Sequence, residues 1–387
     1  MVGNHWRDHH HGSHQRLLRM PGNLSPDWPE VDAIVVPTAR DPGHLAEAAR
    51  LARILNCTLV TLHSGQLTNA AQAWQLLPAD IDLIAIDTGA PVHLRLPPWE
   101  TSRLLSQTIF ARRSDLSAKR NLGLMLSRML GWSRILFLDD DITAPNPGEL
   151  RKASGLLGRH HAVGLHIGGF PDNSVVCHAY KLVGGSQKSF IGGGALAAET
   201  ERCDSFFPDI YNDDWFFMLD PEGRLRSITR AGEVRQEYFD PFSNVDRARA
   251  EEFGDVLAEG TYWLLDQGGS ASEADRRHWA EFLVKRRRFI EGILDMARRH
   301  DLERGERRRV IAALRGSLDR LARITPELCE RYLQAWARDR DMWLHHVAAL
   351  PVGQARPQAL GLLSVPGAPS LTSYFRYRKY LRLDPAV

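Results

Sequence analysis

Residues 31–142 alternate between short apolar runs and segments with helical periodicity, and this alternation constrains the fold more than any other feature of the chain. The apolar, β-branched runs, which we predict to be strands, are 31–37, 57–63, 81–87 and 134–138. The segments between them with apolar residues at helical spacing are 43–55, 67–77 and 117–130. Strands that alternate with helices predict an α/β fold, with a mainly parallel sheet sandwiched by helices.

The composition is that of an ordinary globular protein. With 43% hydrophobic and 25% charged residues, the 387-residue chain is neither disordered nor fibrous. Its 49 basic and 47 acidic residues leave a net charge of +2, so we expect no nucleic-acid partner. No apolar run reaches the roughly 18 residues of a transmembrane segment. The four cysteines are scattered and form no CxxC pair, which favours a cytoplasmic protein.

The N-terminal residues 1–30 differ from the rest of the chain. Five histidines lie between His5 and His14, and no apolar segment of the kind found in secretory signals accompanies them. Such a tract either binds a metal or forms a tail. We predict a disordered, His-rich tail, because chain termini that nothing ties down are usually disordered.

Residues 270–387 have a helical pattern and an excess of basic side chains. Apolar stripes at helical spacing run over 279–294 and 310–321, and Thr325-Pro326 is a helix start signal. We predict a helical C-terminal region appended to the sheet domain. Its helices could cover an acceptor site, form a homodimer or hold the protein peripherally at an anionic membrane surface. A solvated helical face of mixed charge is the simpler interpretation.

Three consecutive acids follow the last predicted strand of residues 31–142. Asp139, Asp140 and Asp141 come directly after the apolar run 134–138. The carboxyl end of a strand in an open α/β sheet is where ligands bind. Adjacent carboxylates repel one another, and a hard divalent cation with oxygen ligands would offset this repulsion. The cluster therefore predicts a metal–diphosphate site, with a loop of solvated acids as the alternative.

Two basic residues lie near the start of the helix that precedes this strand. Lys119 and Arg120 carry positive charge at the end of a helix where the dipole disfavours it. Their position is explained if the helix start and both side chains face an anion. Two solvated surface bases are the alternative.

The stretch 116–142 resembles the nucleotide-binding core of GT-A glycosyltransferases, particularly their family-2 branch. The match consists of Lys119-Arg120-Asn121-Leu122-Gly123, followed by Asp139-Asp140-Asp141. The segment 31–41 is similar to the first strand of that family, whose end contacts the nucleotide. The resemblance implies that the nucleotide sugar is bound by Pro37, Thr38, Arg40, Lys119, Arg120, Asn121, Asp139 and Asp140.

The resemblance extends to about residue 246. The segment 190–199 is similar to the acceptor loop of the family and contains Gly192, Gly193 and Gly194. The sequence Asn212-Asp213-Asp214-Trp215 resembles the later acidic motif. The likeness implies a GT-A catalytic domain over 31–265, with a nucleotide-binding half (31–142) and an acceptor half (143–265).

Catalytic roles follow from the same resemblance. Asp214 would be the catalytic base, with Asp213 as the other candidate, and Trp215 would stack on a sugar or pack in the core. Asp139 and Asp141 would bind Mn²⁺ or Mg²⁺. The family often has a histidine after the acidic motif, and none lies between Asp214 and His278 here. The third metal ligand and the stereochemical outcome therefore stay open.

The function implied is a metal-dependent, inverting glycosyltransferase. It would move a sugar from a nucleotide-diphosphate sugar, with UDP or GDP as the nucleotide, to a hydroxyl of an acceptor that the sequence does not identify. A retaining glycosyltransferase or a mutase-like enzyme is the alternative within this class. A nucleotidyltransferase or a non-catalytic sugar-nucleotide-binding module are the alternatives outside it.

Overall fold

The computed structural model describes residues 14–378, except for 23–28, 90–92, 113, 171–173, 187, 189, 202–203 and 369. Residues 1–13, which contain most of the predicted His-rich tail, lie outside the described residues, and so do residues 379–387. The strands are β1 (Ala33–Thr38), β2 (Thr58–His63), β3 (Asp82–Asp87), β4 (Arg134–Leu138), β5 (Ile142–Thr143), β6 (Ala162–Gly169), β7 (Ala195–Glu199), β8 (Ile228–Gln236) and β9 (Ser373–Arg376).

The helices lie between and after these strands, and the longest of them are in the last third of the chain. They are α1 (Ala46–Leu55), α2 (Ala70–Leu76), α3 (Glu100–Leu105), α4 (Leu116–Leu130), α5 (Gly148–Gly155), α6 (Val175–Leu182), α7 (Asp213–Phe217), α8 (Val245–Asp266), α9 (Arg276–Arg299), α10 (Arg304–Leu321), α11 (Pro326–Ala348) and α12 (Arg356–Gly361). None of the helices in the described part of the chain has an apolar stretch long enough to cross a lipid bilayer.

The described strands form one sheet of nine, in the order β5-β8-β6-β7-β4-β1-β2-β3-β9. Strands β3, β2, β1 and β4 are parallel to one another, and β6 is parallel to β8. β7 lies between β4 and β6 and is antiparallel to both, so β6 and β8 run in the same direction as β4. The α/β class is confirmed. The sheet is mixed rather than mainly parallel, because β7 returns along β4 and antiparallel strands close both edges.

Helices cover both faces of the sheet. Alternate residues of β1 point to opposite sides: Ala33 and Val35 belong to one hydrophobic cluster, and Ile34 and Val36 to the other. The first cluster includes residues of α4, α6 and α8 to α11, whereas the second includes residues of α1, α2 and α5. Strands buried on both faces require the nearly continuous apolar runs that the sequence shows.

Helix α4 positions the two predicted basic residues. It covers the predicted range and ends at Gly131, whose φ of 75° is left-handed and suits glycine. Gly123 allows close packing on β1, because a Cβ at this position would lie 2.8 Å from Cγ1 of Val35. The close approach fixes the height at which Lys119 and Arg120 lie above the sheet.

The C-terminal region is joined to the same core. The three predicted helices are confirmed as α9, α10 and α11, and the Thr325 side chain caps α11 by accepting a hydrogen bond from the Leu328 amide. After α12, strand β9 pairs antiparallel with β3 and completes the sheet. The region predicted as an appendage, 270–387, therefore also supplies an edge strand of the central sheet.

Residues 14–22, which we call the N-terminal strap, pack on the domain instead of forming a disordered tail. The Arg19 amide donates to the Ile228 carbonyl at 2.9 Å, so the strap pairs with the start of β8. His14 is 1% exposed and lies between Glu259 and Asp266 of α8. The prediction of disorder is wrong for these residues, because two buried carboxylates and an unpaired stretch of β8 tie them down.

Candidate active site

Most of the predicted functional residues lie at the carboxyl ends of the parallel strands. Because β1, β4, β6 and β8 run in the same direction, their carboxyl ends lie at the same edge. Thr38 ends β1, and Asp139 to Asp141 follow β4. The Thr38 hydroxyl donates to Oδ2 of Asp140 at 2.6 Å, which joins the two strand ends.

Arg40 holds two of the three aspartates. Its Nη2 lies 2.6 Å from Oδ1 of Asp140 and 3.0 Å from Oδ2 of Asp141. Burial alone would lower the pKa of Arg40, but the charges of Asp140 and Asp141 outweigh it and raise that pKa. The side chain is 42% exposed, so it can leave the carboxylates without disturbing a packed core.

Arg120 connects the acids after β4 with the acids of α7. Its Nη1 donates to Oδ1 of Asp213 at 2.8 Å, and its Nη2 donates to Oδ1 of Asp139 at 3.3 Å. The side chain is only 4% exposed. Burial opposes the charged form, and the charges of Asp213 and Asp139 more than compensate, so the pKa of Arg120 is raised. This guanidinium is a fixed positive charge at the centre of the site.

Two of the three predicted loop glycines make room for these side chains. A Cβ on Gly193 would lie 2.8 Å from Cζ of Arg120, and a Cβ on Gly194 would lie 2.8 Å from Oδ2 of Asp139. A Cβ on Gly192 would make only ordinary contacts, the nearest at 3.8 Å from Oδ2 of Asp214. The requirement for glycine at 193 and 194 therefore comes from the arginine and the aspartate packed on the loop.

Both carboxylate oxygens of Asp213 are hydrogen-bonded within the protein. Its Oδ1 accepts from Arg120, and its Oδ2 accepts from the Ser117 hydroxyl at 2.6 Å. The residue is 3% exposed. Its carboxylate therefore anchors Arg120 and the start of α4, which leaves little capacity for contact with a substrate.

Asp214 has a different environment. Its Oδ2 accepts a hydrogen bond from the Gly193 amide, and its Oδ1 accepts one from the Trp215 amide at 2.9 Å. Burial, with the adjacent charge of Asp213, raises the pKa of Asp214, and Arg120 only partly opposes the rise. Of the two acids it is the one suited to take up a proton near neutral pH.

Lys119 ties β1 to α4 rather than pointing into an open cleft. Its Nζ donates to the Thr38 carbonyl at 2.8 Å and to the Ser64 hydroxyl at 2.6 Å, and it lies 3.2 Å from Oδ1 of Asp115. Burial lowers the pKa of Lys119, although the charge of Asp115 opposes this. Three contacts within the protein occupy the ammonium that was predicted to bind phosphate.

Pro37 and Asn121 do not join the site. Pro37 is buried inside β1, in register with Leu62 of β2. The Asn121 amide group donates to the Phe207 carbonyl at 2.8 Å, and its oxygen accepts from the Phe207 amide at 2.8 Å. The side chain of Asn121 is 1% exposed and both its polar atoms are bonded to this segment, so its role is to hold backbone.

Trp215 packs in an aromatic cluster. Its ring centroid lies 4.4 Å from that of Tyr262, 5.3 Å from that of Phe190 and 5.4 Å from that of His14. The Tyr262 hydroxyl donates to the Trp215 carbonyl at 2.9 Å. Trp215 is therefore a partly buried side chain that packs against the core beside the acids, which agrees with the packing interpretation rather than with stacking on a sugar.

Sequence reasoning missed three polar residues of the site. The Ser117 hydroxyl donates to Asp213, and the Ser64 hydroxyl accepts from Lys119. Gln236 donates from Nε2 to Oδ2 of Asp141 at 3.2 Å. Ser64 follows β2 and Gln236 ends β8, so their place at strand ends was the available signal. Gln236 is opposite Ile142 in an antiparallel pairing that the sequence does not reveal.

A groove of about 340 Å³ opens beside the acids that follow β4. Its lining includes Asp140, Asp141 and Glu237, together with Asp41 and His44. The groove is next to Arg40, whose guanidinium separates its negative charges. A ligand entering here would meet carboxylates, with the half-exposed guanidinium of Arg40 beside them.

Metal binding requires a change in these contacts. Within the described residues, no group of three or more His, Cys, Asp or Glu side chains is arranged to hold a metal ion. The predicted ligands Asp139 and Asp141 face different arginines. However, Oδ1 of Asp141 is buried and has no hydrogen-bond partner among the described residues. Hard carboxylate oxygens are the ligands that Mg²⁺ and Mn²⁺ prefer, so the two residues fit such an ion in their donor chemistry, although Arg120 and Arg40 hold them in the contacts described.

No family model matches the chain, and no curated protein matches its sequence. Function must therefore be argued from the chemistry of the site rather than from relatives.

Proposed function

We propose that the protein is a metal-dependent glycosyltransferase that moves a sugar from a nucleotide-diphosphate sugar to an acceptor hydroxyl, with inversion at the anomeric carbon. The observation that carries this proposal is the buried Arg120, which joins Asp139 of the acid cluster to Asp213 of the acid pair. A fixed cation thereby lies between a candidate diphosphate site and a candidate base. Inverting transfer of a sugar from a diphosphate donor uses both, the first to bind the leaving group and the second to take the acceptor proton.

The carboxyl ends of β1 and β4 would bind the donor. Arg40, which is half exposed, would offer its guanidinium to phosphate oxygens once it leaves Asp140 and Asp141. Asp139 and Asp141 would hold Mg²⁺ or Mn²⁺, which would offset the charge on the leaving diphosphate. The Thr38 hydroxyl keeps Asp140 oriented beside them.

Asp214 would be the general base. Its pKa is raised by burial and by Asp213, so the carboxylate can accept the proton of an acceptor hydroxyl as that oxygen attacks the anomeric carbon. The amide hydrogen bonds from Gly193 and Trp215 hold the carboxylate in one orientation. Attack from the side opposite the leaving diphosphate gives inversion.

A donor-hydrolysis screen tests the proposal without knowledge of the acceptor. Purified protein is incubated with UDP-, GDP- and TDP-sugars and Mn²⁺, and release of nucleoside diphosphate is measured. We expect release from one nucleotide class that stops when EDTA is added. Release from none of them, together with thermal stabilisation by nucleoside triphosphates alone, would favour nucleotidyl transfer and contradict the proposal.

A further inference from the structure

A second cavity, of about 400 Å³, lies at the same sheet edge as the acid cluster. Phe170 directly follows β6 and Tyr238 lies two residues after β8, and both line this cavity together with His178 of α6. We call it the ring pocket. Gln236 links it to the acids: its carbonyl accepts from the Phe170 amide at 3.4 Å, and its side chain donates to Asp141.

The pocket has a floor of flat rings and one exposed ring. Phe170 stacks on His178, with ring centroids 4.6 Å apart and planes 5° from parallel. Tyr238 contacts the Phe170 ring edge to face, at 4.8 Å, and is 73% exposed. Burial, with the charges of Lys181 and Arg247, lowers the pKa of His178 to about 3, so its ring stays neutral. The exposed ring of Tyr238, beside the stacked rings of Phe170 and His178, offers an aromatic surface on which the apolar face of a ligand can pack.

The rim of the pocket carries balanced charges. Lys181 and Arg309 are its cations, and Asp240 and Glu306 are its anions, so the formal charges cancel. Arg309 lies 3.5 Å from Asp240. Among the described residues, neither Lys181 nor Glu306 has a side-chain hydrogen bond or ion pair, so a donor and an acceptor remain open to a ligand. A neutral ligand with several hydroxyl groups fits this rim better than a charged one.

We propose that the ring pocket binds a neutral pyranose ring of the acceptor. A pyranose has an apolar face of C–H groups, which would lie on Tyr238 and Phe170, and hydroxyls at its edge, which would reach Lys181 and Glu306. The pyranose is assigned to the acceptor because the pocket lies beside the acid cluster at the end of β8, and this assignment rests on the proposed function. Binding of the sugar itself does not depend on that function.

Saturation-transfer NMR tests the inference with methyl pyranosides of glucose, galactose, mannose and N-acetylglucosamine. We expect at least one of them to take up saturation on its C–H face. In the Tyr238→Ala variant the affinity should fall at least about fivefold, because an aromatic contact is lost. Tyr238→Phe keeps the ring and should keep binding. Tyr377→Ala, which removes an exposed tyrosine beyond β9 at the opposite side of the sheet, is the matched control.

Two results would overturn the inference. The first is that none of the four pyranosides takes up saturation; if phenol then binds in a Tyr238-dependent way, the pocket is one for planar aromatic groups. The second is that Tyr238→Ala binds the pyranosides as the wild type does. Donor hydrolysis is measured separately on the wild-type protein, so failure of the proposed function and failure of this inference are distinguishable.

Discussion

The two carboxylates at the start of α7 differ in their surroundings, and this difference assigns their roles. Asp213 forms an ion pair with Arg120 and accepts from Ser117, whereas Asp214 forms no ion pair among the described residues and accepts only backbone amides. The contacts of Asp213 with a buried cation and a hydroxyl give it a structural role. An acid that is buried beside a like charge has a raised pKa and can exchange a proton.

Replacement of Asp214 by Asn should remove catalysis and leave nucleotide binding. Because asparagine keeps the shape but cannot accept a proton, we expect donor turnover to fall by about a hundred- to ten-thousandfold. In the wild type the raised pKa of Asp214 should place the acidic limb of the pH–rate profile above that of an ordinary aspartate. Turnover near the wild-type rate in Asp214→Asn would show that another group is the base.

The loop glycines allow a matched pair of substitutions. Gly193→Ala should destabilise the fold by about 1–3 kcal/mol, because its Cβ would press on Cζ of Arg120. Gly192→Ala meets only ordinary contacts and should change stability by less than about 0.5 kcal/mol. Urea unfolding of both variants measures the difference. Equal stability of the two would mean that Arg120 does not pack on the loop as described.

At the scale of elements, the N-terminal strap is held by a charge that depends on pH. Burial alone would lower the pKa of His14, but hydrogen bonds to Asp266 and Glu259 outweigh it and raise the pKa from 6.5 to about 9. A group whose pKa is raised on folding contributes stability that is complete below its unfolded pKa. That contribution is lost as the pH rises through the folded pKa.

Docking of the strap should therefore weaken between pH 6.5 and about 9. Hydrogen exchange of the Leu17 to Arg19 amides, corrected for the intrinsic pH dependence, measures the opening. We expect protection to fall over this range in the wild type. His14→Gln, which cannot be charged, should have lower protection that is independent of pH. Constant protection in the wild type would contradict the ion pairs of His14.

The first half of the sheet could be predicted because each of its elements is specified locally. The runs 31–37, 57–63 and 81–87 are β1, β2 and β3 to within two residues, since strands buried on both faces are continuously apolar. The helix 117–130 has a glycine stop and became α4. In contrast, β7, β8 and β9 pair with strands far away in the chain, and their short or alternating sequences give no sign of the partner.

For the site too, only part could be predicted from the sequence: which groups of residues belong to it, but not which side chains bond to each other. Arg120 joins the acids after β4 to the acid pair of α7, and the order of these motifs in the chain was the signal that grouped them in the sequence. The partners of each side chain could not be read. Arg40 holds Asp140 and Asp141, while Asn121 turns to the Phe207 backbone. The bonding partner of each side chain depends on residues that are near it only in the folded structure, such as Gln236, and not on spacing in the sequence.

At the scale of the whole molecule, the acid cluster, the acid pair and the ring pocket lie on the side of the sheet where the carboxyl ends of β1, β4, β6 and β8 are found. The C-terminal helices and β9 belong to the same core, so the described residues form a single sheet with helices on both faces, and the region predicted as an appendage is part of it. The central claim is that the edge binds a diphosphate together with a divalent ion at Asp139 and Asp141.

Isothermal titration calorimetry with UDP and GDP, in Mn²⁺ or in EDTA, tests that claim most directly. We expect one nucleotide to bind in Mn²⁺ and to bind at least about tenfold more weakly in EDTA or to Asp141→Ala, because a metal ligand is lost. Asp295→Ala, which removes an exposed aspartate of α9 that does not line the groove, should bind as the wild type does. Equal affinity of the wild type and Asp141→Ala in Mn²⁺, or no binding of either nucleotide, would contradict the account.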